Sequence, residues 1–299
     1  MKKALVLVAI ILSIFIALML TPTEEAETKP YIAVTNFPLY EIASKITDSK
    51  IEVKKLIPFG VESHAYMPSV KTMTLISKAK LLVYNGLSME PWIKKEYKNA
   101  LNMSQYVQLK DACAEHEHHG HSHEKEDFDP HYWLDSSNMI MMTKVLSEKL
   151  SRLFPEYKES FSSNAKAYIQ KLEALDKEYS ETLQNCKQKE IVVNHNAFAY
   201  LSARYGFHTH AVTGLSADEQ VSAKKMKEIT DLVKEEHIKT IFFESFVSDK
   251  VARTIAKESG AEVSSLQPLA NVTQEEAKKG YIPLMQDNLE KLSKAMLCQ

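Results

Sequence analysis

Glycine is scarce in this chain, with 7 in 299 residues, and there are only three cysteines. A chain so short of the residue that most readily absorbs backbone rotation is not built around a wide hinge, so large closure between domains is not expected. The cysteines, Cys113, Cys186 and Cys298, have no CxxC spacing, which argues against a thiolate zinc site. In an oxidising compartment one disulfide fits. The preferred pair is Cys186 with Cys298, both in the second half of the chain, and three unpaired thiols are the alternative. A surplus of positive charge is also missing. Lys+Arg number 37 against 39 Asp+Glu, a net charge of −2, or −4 once Lys2 and Lys3 are set aside. That balance gives no ground for a nucleic-acid partner. Nor is there an HExxH motif, the helical signature of a zinc protease.

What the chain does have is histidine, gathered in one place. His116, His118, His119, His121 and His123 fall within eight residues, and His131 follows shortly after. Neutral imidazole is the commonest metal ligand and suits zinc, copper, nickel and iron. The tract lies inside the chain, unlike an affinity tag, and residues 115–127 are too polar to bury a core of their own. At the N-terminus, Lys2 and Lys3 precede an uncharged run over 4–20. This reads as an export signal, or an anchor if uncleaved, with residues 1–26 set apart from the rest. No cysteine lies near it to carry a lipid.

The remainder alternates short β-rich runs with helical periods, the pattern of parallel sheets covered by helices. Strands are expected over 31–35, 51–57, 81–84 and 106–109 in the first half, and over 190–194, 208–212, 240–243 and 262–266 in the second. Helices are expected over 38–46, 69–79, 92–100 and 136–153, then over 198–205, 222–236, 249–259 and 281–297. Between the halves, 156–184 contains no Gly or Pro. Its apolar residues recur every three or four positions from Tyr157 through Phe161, Tyr168, Leu172 and Leu175 to Leu183. This predicts one helix of about 28 residues, roughly 42 Å long, with a coiled coil as the alternative. The fold class is therefore α/β: two similar lobes, 27–155 and 187–299, each a mainly parallel sheet with flanking helices, joined by a backbone helix over 156–186.

Ligands of open parallel sheets sit outside the carboxyl ends of the strands. Three histidines satisfy that condition. His64 follows the second strand, His131 lies in the segment 129–135 (DPHYWLD) just before a helix, and His195 ends the first strand of the second half. Two come from one half and one from the other, so a shared site falls in the cleft between them. His208, His210 and His237 carry no such motif and read as surface or structural residues. The stripe Met139, Met141 and Met142 reads as helix core.

The ordered series VTNFPL (34–39), HAYMP (64–68), LVYNG (82–86), the His-rich loop, DPHYWLD (129–135), the long helix and NHNAF (194–198) resembles the ZnuA-like, zinc-type branch of the TroA-like metal-binding solute-binding proteins. The resemblance spans essentially the whole chain beyond its first segment. It implies a periplasmic, monomeric protein that captures Zn2+ and delivers it to the permease of an ABC importer. His64, His131 and His195 are then the ligands, and membrane contact comes through the permease or an uncleaved leader. Manganese-type relatives carry Glu where this chain has His195, and three nitrogens favour zinc over a metal that prefers oxygen.

A fourth ligand is less plain. The position where many relatives have Asp corresponds to Gln267, a weak donor. Glu62 is the carboxylate expected to complete the site, with water or the tract as substitutes, and Glu244 is read as a ligand or as a support behind one. The rival functions are a zinc-dependent hydrolase with a three-His site, or a manganese-type carrier or adhesin. The hydrolase needs a general base that no motif supplies.

Overall fold

Short runs of buried aliphatic residues make the strands, and helices cover both of their faces. The structure is a computed structural model and describes residues 29–94, 97–111, 128–215, 220–245 and 248–299. The expected export segment and the five histidines of the tract lie outside the described residues. Among the described residues no helix is long and apolar enough to cross a membrane.

The first sheet is built from β1 (Tyr31–Val34), β2 (Glu52–Lys55), β3 (Leu81–Tyr84) and β4 (Ala100–Asn102) in the order β2-β1-β3-β4. The second uses β5 (Glu190–His195), β6 (His208–Thr213), β7 (Thr240–Phe243) and β8 (Glu262–Ser265) in the order β6-β5-β7-β8. All pairings are parallel, and the two orders are the same. Each sheet therefore reverses direction beside its first strand, and a crevice opens there at the carboxyl ends.

The helices of the first lobe are α1 (Phe37–Thr47), α2 (Val70–Lys78) and α3 (Ser136–Leu153). The connecting helix is α4 (Lys158–Leu183). Those of the second lobe are α5 (Ala199–Tyr205), α6 (Ala223–Glu235), α7 (Lys250–Ser259), α8 (Gln274–Lys279) and α9 (Tyr281–Ala295). Caps set several of the starts. Asn36 accepts from Leu39 N at the head of α1, and Asp135 accepts from Ser137 N at the head of α3. Thr273 and Glu276 form a capping box on α8, a helix readable from its TQEE sequence that apolar periodicity missed.

Helix α4 is 26 residues long, about 39 Å at 1.5 Å per residue. Its buried face, Phe161, Ala165, Tyr168, Leu172, Leu175, Tyr179 and Leu183, is covered by α1, α3 and α9, so the stripe meets the chain's own helices and not a coiled-coil partner. One continuous core runs from Ile32 and Phe37 in the first lobe, along this face, to Val193 and Phe198 in the second. Direct ties reinforce it: Phe37 N donates to Ala270 O, Gly60 N donates to Val272 O, and the Asn271 amide donates to Pro58 O and Val61 O. Cys186 and Cys298 form a disulfide, the pairing preferred from sequence.

Two elements depart from expectation. No helix forms over the described part of 92–100, and the fourth strand is Ala100–Asn102 instead of 106–109. The apolar spacing of Trp92, Ile93 and Tyr97 imitates a helix, but these side chains pack singly against the cluster around Tyr31 and Leu82. Leu101 is buried at the sheet edge, whereas Tyr106 is 45% exposed at the end of a 3-10 turn. In the methionine stripe Met139 and Met142 are core, while Met141 faces solvent.

Candidate metal centre in the interlobe cleft

His195 is the last residue of β5, so strand geometry alone carries its ring to the carboxyl edge of the second sheet. His131 precedes a 3-10 turn, Tyr132–Leu134, that is locked from both lobes. Trp133 Nε1 donates to Pro268 O at 2.7 Å, Tyr281 OH donates to Trp133 O at 2.6 Å, and Tyr200 OH donates to Asp129 O at 2.9 Å. His64 comes from the loop between β2 and α2, the segment that Gly60 and Asn271 pin to the second lobe.

The three rings meet through their Nε2 atoms. His64 Nε2 is 3.1 Å from His131 Nε2, which is 3.4 Å from His195 Nε2. Among the described residues this is the group of donor atoms that converges tightly, all within 4.8 Å of one another. A tetrahedral ion at the usual Zn–N length of 2.0–2.1 Å holds its nitrogens about 3.3 Å apart, so both distances match one edge of such a tetrahedron.

Each of two rings is oriented by a carboxylate behind it. His131 Nδ1 lies 2.7 Å from Asp129 Oδ1, and His195 Nδ1 hydrogen-bonds to Glu244 Oε1. A carboxylate accepts only, so these ring nitrogens donate and each Nε2 presents its lone pair to the cleft. The Nε2 lone pairs of His131 and His195, facing one another at 3.4 Å, repel, and a cation relieves them. Asp129 Oδ2, buried without a hydrogen-bond partner, also fits a cation held nearby. Asp129 and Glu244 together offset a divalent charge that three neutral rings leave uncompensated.

Electrostatics separates the rings. Burial, with His131 and His195 adding to it, pushes the His64 pKa down to about 2, so that ring stays neutral. Burial alone would lower His195 too, but the Glu244 carboxylate, with Glu62 and Asp129 beyond it, raises it above the ordinary imidazole value. His195 is thus a ring at which protons compete with metal. Replacing Glu244 by Gln is expected to weaken zinc binding about 10- to 100-fold at neutral pH. It also removes the attraction that holds a proton on His195, so the loss of affinity on acidification begins at a lower pH than in the wild type. Zinc titrations of both proteins from pH 8 to pH 5.5 read both effects, and coincident pH profiles would contradict this assignment.

The other predicted residues lie nearby in different roles. Glu62 Oε2 accepts from Ala65 N at 2.9 Å, capping the turn that carries His64. Gln267 is buried, its amide donating to Ser245 beside Glu244, and its backbone is held by Asn288. Asp129 was not singled out from sequence, although an acid two residues before a candidate ligand is a readable signal.

A buried lattice behind His131 was also missed. Glu90 accepts from Thr35 Oγ1 at 2.5 Å and from Asn85 N and Gly86 N at 3.0 Å, and burial lifts its carboxyl to about 7. Asn85 in turn donates to Pro130 O at 3.0 Å and accepts from Asn36 Nδ2. This explains the VTN and YNG motifs: they close the crevice of the first sheet and set the height of His131. Gly86 has φ +84°, and a Cβ there would meet Asn102 Oδ1 and Ser104 Oγ. Gly86→Ala is expected to lower stability by about 2 kcal/mol or more, measurable by denaturant titration.

The sequence model of the ZnuA family, described as "Zinc-uptake complex component A periplasmic", matches residues 32–295. The zinc-binding protein AdcA of Streptococcus pyogenes is 35% identical over 98% of this chain, which spans 61% of AdcA's length. The chain thus covers about three fifths of that relative. The high-affinity zinc uptake system protein ZnuA of Bacillus subtilis is 34% identical, over 90% of this chain and 88% of its own. Among solved structures, the Zn(II)-bound ZnuA-like domain of Streptococcus pneumoniae AdcA has a TM-score of 0.75 at 34% identity, covering 90% of this chain and 99% of that one. The periplasmic zinc-binding protein TroA of Treponema pallidum, at 23% identity and a TM-score of 0.79 over 90% of this chain and 99% of that one, shares the fold. By the extent of the family match and the identity to B. subtilis ZnuA, the chain belongs to the ZnuA family of periplasmic zinc-uptake components.

Proposed function

We propose that this protein is an extracytoplasmic solute-binding protein that captures Zn2+ between its two lobes and delivers it to the permease of an ABC importer. The observation that carries this reading is the convergence of His64, His131 and His195 Nε2 atoms from both lobes without a carboxylate among them. Nitrogen donors at tetrahedral spacing favour zinc over manganese. The family description and the basic, then apolar, N-terminal sequence support an exported location. A fourth position is left to water or to Glu62, whose field already reaches His195. The protein acts as a monomer, and its membrane contact comes through the permease or an uncleaved leader.

A hydrolase reading has less support. Of the carboxylates near the rings, Asp129 and Glu244 are engaged in holding imidazoles and Glu62 in capping the turn that carries His64, which leaves none of the three as an uncommitted general base. The test is direct. Zinc-loaded protein is expected to bind one ion in the cleft with high affinity and to show no zinc-stimulated ester or carbon dioxide hydration. Turnover that disappears with His195→Ala would overturn the carrier reading.

A further inference from the structure

Strand β6 is the outer strand of the second sheet, and its first and third residues are His208 and His210. Strand alternation puts both rings on one face. The parallel register sets Glu190 of β5 opposite His208. Its carboxylate is shared between the rings: His208 Nδ1 lies 2.7 Å from Oε1, and His210 Nε2 lies 2.7 Å from Oε2. The His208 side chain is 69% exposed, that of His210 34% and that of Glu190 23%. The trio lines a cavity of about 580 Å³ that extends along the sheet edge to Asn196, the residue after His195. An adjoining depression shares His208 and Asn196 and is lined by Lys110 and Asp111, where the chain leaves toward the His-rich tract.

We propose that His208, His210 and Glu190 form a second, weaker binding site for a divalent cation, with zinc the preferred ion. Two imidazoles and one carboxylate are a donor set that zinc accepts, with water completing the tetrahedron. Here the donors are not preassembled as they are in the cleft. The carboxylate stands between the two ring nitrogens, and an ion must draw all three toward it. Each N···O contact opens from 2.7 Å to about 3.3 Å, the tetrahedral edge, and the exposed His208 ring turns to do so. Among the described residues no carboxylate orients these rings from behind as Asp129 and Glu244 do in the cleft, so the site exchanges faster and holds less tightly than the cleft. His210 stands three residues before Thr213, the register partner of His195, or about 10 Å along the strand. The trio therefore sits toward the amino ends of β5 and β6, separate from the cleft site at their carboxyl ends.

The experiment uses the full chain with its cleft first filled by one equivalent of Zn2+, then titrated with further zinc at pH 7.5. Any zinc taken up by the tract is common to every sample, so the site is read as a difference between variants. A His208→Ala, His210→Ala double variant is expected to take up one equivalent less, with the cleft affinity unchanged. Glu190→Gln keeps the shape of the trio and is expected to weaken that equivalent by about tenfold or more; it keeps the test decisive if the double variant folds poorly. Anomalous diffraction at the zinc edge is expected to place an ion among the three side chains. Unchanged stoichiometry and affinity in both variants, or no anomalous peak at saturating zinc, overturns the proposal and leaves a hydrogen-bonded surface cluster.

Discussion

Zinc affinity is expected to fall by about a hundredfold or more when His195 is replaced by alanine. Four-ligand protein zinc sites bind with about 10–16 kcal/mol, so each ligand carries about 3 kcal/mol, and 1.4 kcal/mol is a factor of ten. The variant also strands Glu244, whose partner is the His195 Nδ1–H, leaving a buried acceptor unsatisfied. Competition titration against a fluorescent chelator measures the change. The control is deletion of 115–127, which removes five histidines and spares all three cleft histidines. That deletion is expected to leave the cleft affinity unchanged, because the three converging histidines and the carboxylates that orient two of them lie outside the tract. A high-affinity site lost with the tract and kept without His195 would assign the chemistry to the wrong histidines.

The contrast between those two histidine sets shows how much was readable in the chain. The tract is the louder signal in sequence, yet its histidines stand at no expected strand end and lie outside the described residues. His64, His131 and His195 are isolated in sequence, and each earned its place from position relative to a strand end, which period and turn chemistry reveal. The resemblance of the surrounding motifs then singled them out together. Relations between distant side chains were not legible. That Glu244 orients His195, 49 residues away, or that Asn85 supports Pro130, depends on which strands neighbour each other, and local patterning does not encode that order. The edge strand failed for a related reason. Apolar residues at 92, 93 and 97 fit a helical period, but the partner strand β3 decides where pairing begins, and it pairs with Ala100, Leu101 and Asn102.

Removing the Cys186–Cys298 disulfide is expected to cost about 2–5 kcal/mol of stability while leaving zinc affinity of the folded protein intact. The bond joins residues 112 apart, and for a loop of about a hundred residues the chain-entropy estimate is about 4.7 kcal/mol. Its placement makes that constraint specific. Cys186 follows the end of α4 and Cys298 follows the end of α9, so the closed loop contains every strand of the second lobe. The unfolded second lobe is therefore the state the bond restricts, whereas the first lobe is untouched. At the same time the bond lies at the amino ends of the strands, away from the cleft: Cys186 precedes β5, and His195 is the last residue of that strand. Thermal unfolding of the Cys186→Ser, Cys298→Ser variant, with and without zinc, tests both halves of the expectation. Zinc binds only the folded state, so its stabilisation follows the ratio of free ion to dissociation constant. The zinc-induced shift should thus persist on a lowered baseline. If the shift vanished together with the bond, the second lobe would depend on the disulfide to hold His195 in position, and the cleft could not be the preassembled site that its buried supports describe.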